Sequence, residues 1–134
     1  MIDYIDEIIV VFNKEEPRGS GINISATPED LYKVDEECDN FIPDKAKMFH
    51  NLVANTLYTT NRASPDNCTA VAFLTTRVIK PKKDEWGKLV NLMNFIRGTI
   101  DIPLILSANG SGFLKWWIDA SYAVHTNIRG HTGG

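Results

Sequence analysis

Apolar residues recur every three to four positions along three stretches of the chain, and this period predicts amphipathic helices. The first stretch is residues 2–13, with acids in its first turns, where the helix dipole favours them. The second opens at Pro43-Asp44-Lys45. The third begins at Asp84 and finishes with Arg97 and Gly98, a C-terminal signature. The stripes are Ile2, Ile5, Ile8, Ile9 and Phe12; Ala46, Phe49, Val53 and Leu57; and Trp86, Leu89, Val90, Met93 and Ile96.

Proline and small polar residues divide these helices. Ser64-Pro65-Asp66 predicts a break and a restart, with Ser64 as the cap and Pro65 at the first helical position. That helix has a stripe of Val71, Leu74 and Val78 and is stopped by Pro81. Residues 14–42 are predicted to be mostly an extended acidic linker with a short helix starting at Thr27-Pro28.

The C-terminal part predicts strands instead. Residues 102–106 and 113–118 are strand candidates, and Asn109-Gly110-Ser111-Gly112 between them is a strong turn. Two strands alone are marginal in water and leave their edges unpaired. The expected fold is therefore mainly α with a short C-terminal β-hairpin, an incomplete α+β fragment. The expected organisation is a helix and acidic linker (1–42), a helical unit (43–99) and a truncated C-terminal domain (100–134).

Composition indicates a soluble globular chain. Of 134 residues, 43% are hydrophobic and 23% charged, a balance that argues against disorder. No apolar run approaches the roughly 18 residues that a membrane helix needs. The acidic N-terminus is not a signal peptide, and Cys38 and Cys68 are too few for a disulfide framework. An intracellular location, cytoplasmic or nuclear, is the expectation.

The net charge of −3 conceals a polarity along the chain. Residues 1–44 hold twelve acids against three bases, whereas residues 45–134 hold five acids against eleven bases. An anionic partner would therefore meet the second part. The densest basic patch could contact phosphates as point charges, although a solvated loop is the simpler interpretation. It consists of Lys80, Lys82, Lys83, Lys88 and Arg97.

Asp119 is the candidate catalytic and metal-binding residue. It follows Trp116-Trp117-Ile118, and a strand that ends in an acid can present it to a divalent cation, which prefers carboxylate oxygens. Two-metal phosphoryl chemistry needs several carboxylates, and no obvious second acid follows. His125 and His131 could join Asp119 as ligands, but their spacing is not specific.

Several motifs in order resemble the reverse transcriptase of copia-type retrotransposons. Residues 46–99 resemble the region after the palm, ending in a helix like the family's "RYLRGT", and residues 119–134 resemble the start of its RNase H domain. The matching residues are Phe49-His50, Val53-Ala54, Leu57-Tyr58, Arg62 to Asp66, Thr69-Ala70-Val71, Phe73 to Val78, Trp86, Leu89, Phe95 to Thr99, Asp119 to His125 and His131 to Gly134; Tyr4-Ile5, Phe12 and Thr27-Pro28 resemble the stretch before them.

The resemblance implies a fragment: thumb and connection helices joined to the first RNase H strand. In the parent enzyme the partner is an RNA–DNA or DNA template–primer, the cofactor is Mg²⁺, and Asp119 is the first RNase H carboxylate. This chain departs from the family at Ser64, Asn94 and Phe95, where Arg, a base and Tyr are usual. It also lacks the Tyr-x-Asp-Asp palm motif and the later RNase H acids.

Three hypotheses follow. The first is a retroelement-derived fragment that does not catalyse alone and binds no Mg²⁺ stably. The second is a helical nucleic-acid-binding module that keeps thumb-like phosphate contacts through the basic patch. The third is an inert product of a decayed element, which a broad, non-cooperative thermal melt would support.

Overall fold

Helical segments account for most of the regular structure in a computed structural model, which describes residues 1–17, 25–105, 107–116, 118–121 and 131–133. The four α-helices are α1 (Ile2–Asn13), α2 (Pro43–Ala63), α3 (Cys68–Thr75) and α4 (Lys83–Thr99), with a 3₁₀ turn, Pro65–Asn67, ahead of α3. Two short strands, β1 (Asp119–Ser121) and β2 (His131–Gly133), follow. The mainly helical class predicted from the sequence is confirmed. No helix within the described ranges is long and apolar enough to cross a bilayer.

The helix boundaries follow the sequence signals closely. Pro43 occupies the first position of α2, and the break predicted at Ser64-Pro65 separates α2 from α3. Two details differ. The Ser64 side chain makes no capping hydrogen bond. Gly98 lies within the last turn of α4, which continues to Thr99.

The apolar stripes of the helices meet in one core. Phe49 and Val53 of α2, Val71 of α3 and Leu89 of α4 are almost completely buried. Helix α1 contributes Phe12, whose ring lies 6.2 Å from that of Trp86. This ring contact places the start of α4 against the end of α1.

The segment between α1 and α2 also belongs to this core, which its sequence did not predict. Leu31 is 1% exposed, and the Tyr32 ring packs edge-on against Phe73 at 5.6 Å. The helix expected at Thr27-Pro28 is absent, and that expectation was wrong. Turns closed by hydrogen bonds from Leu31 N–H to the Pro28 carbonyl and from Lys33 N–H to the Asp30 carbonyl stand in its place.

The predicted hairpin of residues 102–106 and 113–118 is not formed by the residues that the structure describes there; Leu106 and Trp117 lie outside them. The turn chemistry is present, because Gly110 and Gly112 have φ angles of 69° and 70°. Phe113, Leu114 and Trp116 are exposed, so no covering layer stabilises a strand pair at these residues. Instead β1 pairs with β2 in antiparallel register, with Asp119 opposite Gly133.

Candidate functional site

The basic patch sits where the chain turns from α3 into α4. The carboxylate of Glu85, fully buried, accepts a hydrogen bond from the Lys82 backbone N–H at 2.6 Å and one from Arg77 Nε at 2.8 Å. The first contact satisfies an N–H group that a helix start leaves without an intrahelical partner. The second ties the end of α3 to α4. Glu85 thus fixes the backbone on which Lys82 and Lys83 are carried.

An acidic strap, defined here as residues 33–41, lies along this turn. Asn40 forms an isolated antiparallel bridge with Lys82. Phe41 N–H donates to the Pro81 carbonyl at 3.2 Å, and Lys83 N–H donates to the Asp39 carbonyl at 3.1 Å. The strap is therefore hydrogen-bonded to the patch through the backbone, independently of any side-chain charge.

The lysines of the patch are also bonded to the strap through their side chains. Lys82 Nζ donates to the Glu36 carbonyl at 2.6 Å and to the Glu36 carboxylate at 3.0 Å. Lys83 Nζ donates to Asp39 Oδ2 at 2.6 Å. Both predicted phosphate contacts thus have anionic partners within the chain.

Lys88 and Arg97 are engaged inside the fold. The Lys88 side chain is only 5% exposed; its Nζ donates to Asp84 Oδ2 at 2.8 Å and to the Lys33 carbonyl of the strap. Arg97 donates to Asn94 Oδ1 at 3.2 Å and to Asn13 Oδ1, which joins α4 to the end of α1. A helix rises about 1.5 Å per residue, so Arg97 lies about 20 Å along the axis from Lys83.

Lys80 differs from the other four cations of the patch. Lys80 is exposed on the turn after α3, and its side chain makes no hydrogen bond or ion pair with the described residues. The structure therefore places Lys82, Lys83 and Lys88 within hydrogen-bond distance of the strap, and leaves Arg97 at the far end of α4. Phosphate binding by these five residues stays a prediction.

An aromatic depression borders the patch. No pattern in the sequence predicted it. Lys45 Nζ lies 4.3 Å from the Trp86 ring centroid and 5.3 Å from that of Phe41, which is cation–π distance. The Phe41 and Trp86 rings meet edge-on at 5.8 Å, and Trp86 Nε1 donates to Glu16 at 2.8 Å. Lys45 and Lys83 line the same cavity, of about 470 Å³.

Asp119 is described only through its backbone. It pairs with Gly133, which has no side chain, so the pairing adds no ligand for a cation. His131 pairs through its backbone with Ser121, and His125 lies outside the described residues. Within the described ranges no group of three or more His, Cys, Asp or Glu side chains is placed to hold a metal ion.

The Lys83–Asp39 ion pair should be detectable as a shift in the pKa of Asp39. The hydrogen bond from Lys83, and then its charge, hold the pKa of Asp39 below 3.8, and the same bond to Asp39 raises the pKa of Lys83 above 10.5. The pair therefore contributes stability that is present above the unfolded Asp pKa and lost as pH falls through the lowered one. It is likewise lost as pH rises through the raised Lys83 pKa.

NMR titration of Asp39 should give a pKa below 3.8 that returns toward 3.8 in Lys83→Met. An unchanged value in that variant would contradict the pairing.

Comparison with known proteins identifies no relative. No family model matches the chain, and neither the curated proteins nor the solved structures contain a match.

Proposed function

We propose that this chain is the thumb and connection region of a copia-type reverse transcriptase running into the first RNase H strand, and that it does not catalyse alone. The observation that carries the proposal is the Arg77–Glu85 contact. Arg77 belongs to the block Phe73 to Val78, and Glu85 lies in the first turn of α4, the helix that ends in Arg97-Gly98-Thr99. The two stretches that resemble the family are thus joined directly.

Several residues that carry the resemblance stabilise this fold. Phe49, Val53 and Leu74 are buried in the core, and Arg77 is paired with a buried carboxylate. This distribution supports a scaffold, since a polymerase site needs carboxylates that hold metal ions. Its substrate contacts would then be made together with a palm encoded elsewhere.

The same proposal covers the role of the C-terminal residues and the location of the protein. Residues 100–134 would begin an RNase H-like domain, with its first strand in a C-terminal hairpin and Asp119 as one ligand of a Mg²⁺ site completed by other acids. An intracellular location is supported by Cys38 and Cys68, which are both free thiols.

Catalytic inactivity is tested with purified protein, Mg²⁺ and a labelled RNA–DNA hybrid. We expect no cleavage above a buffer control, for the wild type and for Asp119→Asn alike, because one carboxylate does not complete a two-metal site. Reproducible cleavage that disappears in Asp119→Asn would overturn the proposal.

The coding sequence on either side tests the parentage separately. The proposal requires a Tyr-x-Asp-Asp motif upstream and further RNase H acids downstream in the adjoining reading frame. Adjoining sequence that encodes neither would contradict it, whatever the cleavage assay gives.

A second candidate function is binding of a nucleic-acid backbone at the start of α4. The observation in its favour is that Lys45 and Lys83 line one cavity with the Phe41 and Trp86 rings, since nucleic-acid sites combine cations with aromatic surfaces. It requires an affinity for duplex that falls steeply with salt.

A further inference from the structure

The strap places carboxylate and carbonyl oxygen atoms within hydrogen-bond distance of lysine ammonium groups at the start of α4. Lys82 receives the Glu36 carboxylate and carbonyl, Lys83 receives the Asp39 carboxylate, and Lys88 receives the Lys33 carbonyl. The acidic strap is thus hydrogen-bonded to the basic start of α4. Acids from the first part of the chain therefore pair with bases from the second part within one molecule.

We propose that the acidic strap is an autoinhibitory element, which occupies the ammonium groups of Lys82 and Lys83 until a nucleic-acid backbone displaces it. The inference rests on the second candidate function, nucleic-acid binding at the start of α4. It adds to that function a condition: the lysines bind phosphate after their internal carboxylates have left.

The strap is built so that its charged contacts can be exchanged while its ends stay anchored. The Glu36 and Asp39 side chains are 72% and 75% exposed. Ion pairs this exposed contribute little to stability and are weakened by salt. Leu31, before the strap, is buried, and Phe41, at its end, packs on Trp86. Residues 33–40 can therefore leave the lysines while both flanks remain in the core.

The decisive experiment compares two neutralised variants of equal charge. Glu36→Gln/Asp39→Asn removes both strap carboxylates that pair with lysine. Asp3→Asn/Glu7→Gln removes two exposed acids of α1 and changes the net charge equally. The probe is a fluorescently labelled 16-base-pair duplex DNA, with binding followed by anisotropy across a salt series. Circular dichroism confirms that each variant is folded, and the single variants replace the double if it is not.

We expect the strap variant to bind about tenfold more tightly than the control variant at low salt. Two freed lysines should also steepen the slope of log K against log salt by about 1.8, because each phosphate contact contributes about 0.9. Adding Lys82→Ala and Lys83→Ala to the strap variant should abolish the gain. Hydrogen exchange at the Lys83 amide should accelerate when DNA binds the wild type, because its acceptor, the Asp39 carbonyl, leaves with the strap.

The outcomes separate the inference from the function on which it rests. Equal affinity of the strap and control variants, with measurable salt-dependent binding in both, overturns the strap as an inhibitor and leaves the binding function standing. Absence of DNA binding by every variant overturns both. Tighter binding of a polyglutamate peptide than of DNA by the strap variant overturns a nucleic-acid backbone as the partner.

Discussion

Glu85→Ala should lower the free energy of unfolding by about 3 kcal/mol, because removal of one partner of a buried ion pair leaves the other charge uncompensated. The carboxylate is fully buried, and Arg77 keeps 23% of its side chain exposed, so part of the penalty is relieved by water. The substitution also leaves the Lys82 N–H without its acceptor. Urea unfolding followed by circular dichroism measures the change.

Two further variants separate the two roles of Glu85. Glu85→Gln keeps an acceptor for the Lys82 N–H and should cost less than Glu85→Ala. Glu7→Ala removes a carboxylate exposed on α1 and should change stability by no more than about 0.5 kcal/mol. A loss for Glu85→Ala no larger than that for Glu7→Ala would refute the structural role. A broad transition in the wild type would favour the decayed-element hypothesis.

The position of Glu85 shows where prediction from sequence stops. The start of α4 was predicted within a residue, because its apolar stripe and acidic first turn are local signals. The Arg77–Glu85 contact spans the turn at Pro81, and its geometry depends on how two helices pack. No spacing rule expresses such a contact, so Glu85 was not singled out as a site residue.

The strap was missed for a related reason. Leu31 and Phe41 lie in an acid-rich stretch that shows neither a sustained helical nor a strand period. An extended segment that buries single side chains against a helical core leaves no periodic trace. The basic patch was visible as composition, but its internal partners lie 44 to 47 residues earlier in the chain for Lys82 and Lys83.

The prediction of strands at residues 102–106 and 113–118 was not confirmed for the opposite reason, since the local sequence signal for them was strong. Phe113, Leu114 and Trp116 have strand-forming character, yet all three are exposed. Apolar alternation predicts a strand only when another layer covers its apolar face. The described part of the chain places no such layer on these three side chains.

Phe73→Ala should lower the free energy of unfolding by about 3–5 kcal/mol, the usual cost of truncating a buried phenylalanine. Phe73 is 1% exposed, contacts Tyr32 of the segment before α2, and lies 5.0 Å beneath Lys88 Nζ. Its loss removes an aromatic surface on which the segment leading to the strap rests. Chemical denaturation gives the stability, and hydrogen exchange at the Lys83 amide reports on the strap.

Phe113→Ala is the matched control, because the same side chain is 82% exposed there. It should change stability by no more than about 0.5 kcal/mol. Phe73→Ala should in addition speed exchange of the Lys83 amide beyond the global loss of stability, since that amide bonds to the strap carbonyl of Asp39. If the two variants lose equal stability, residues 25–41 are a linker after all. If only the Lys83 exchange is unchanged, the strap is held by its own hydrogen bonds rather than by the core.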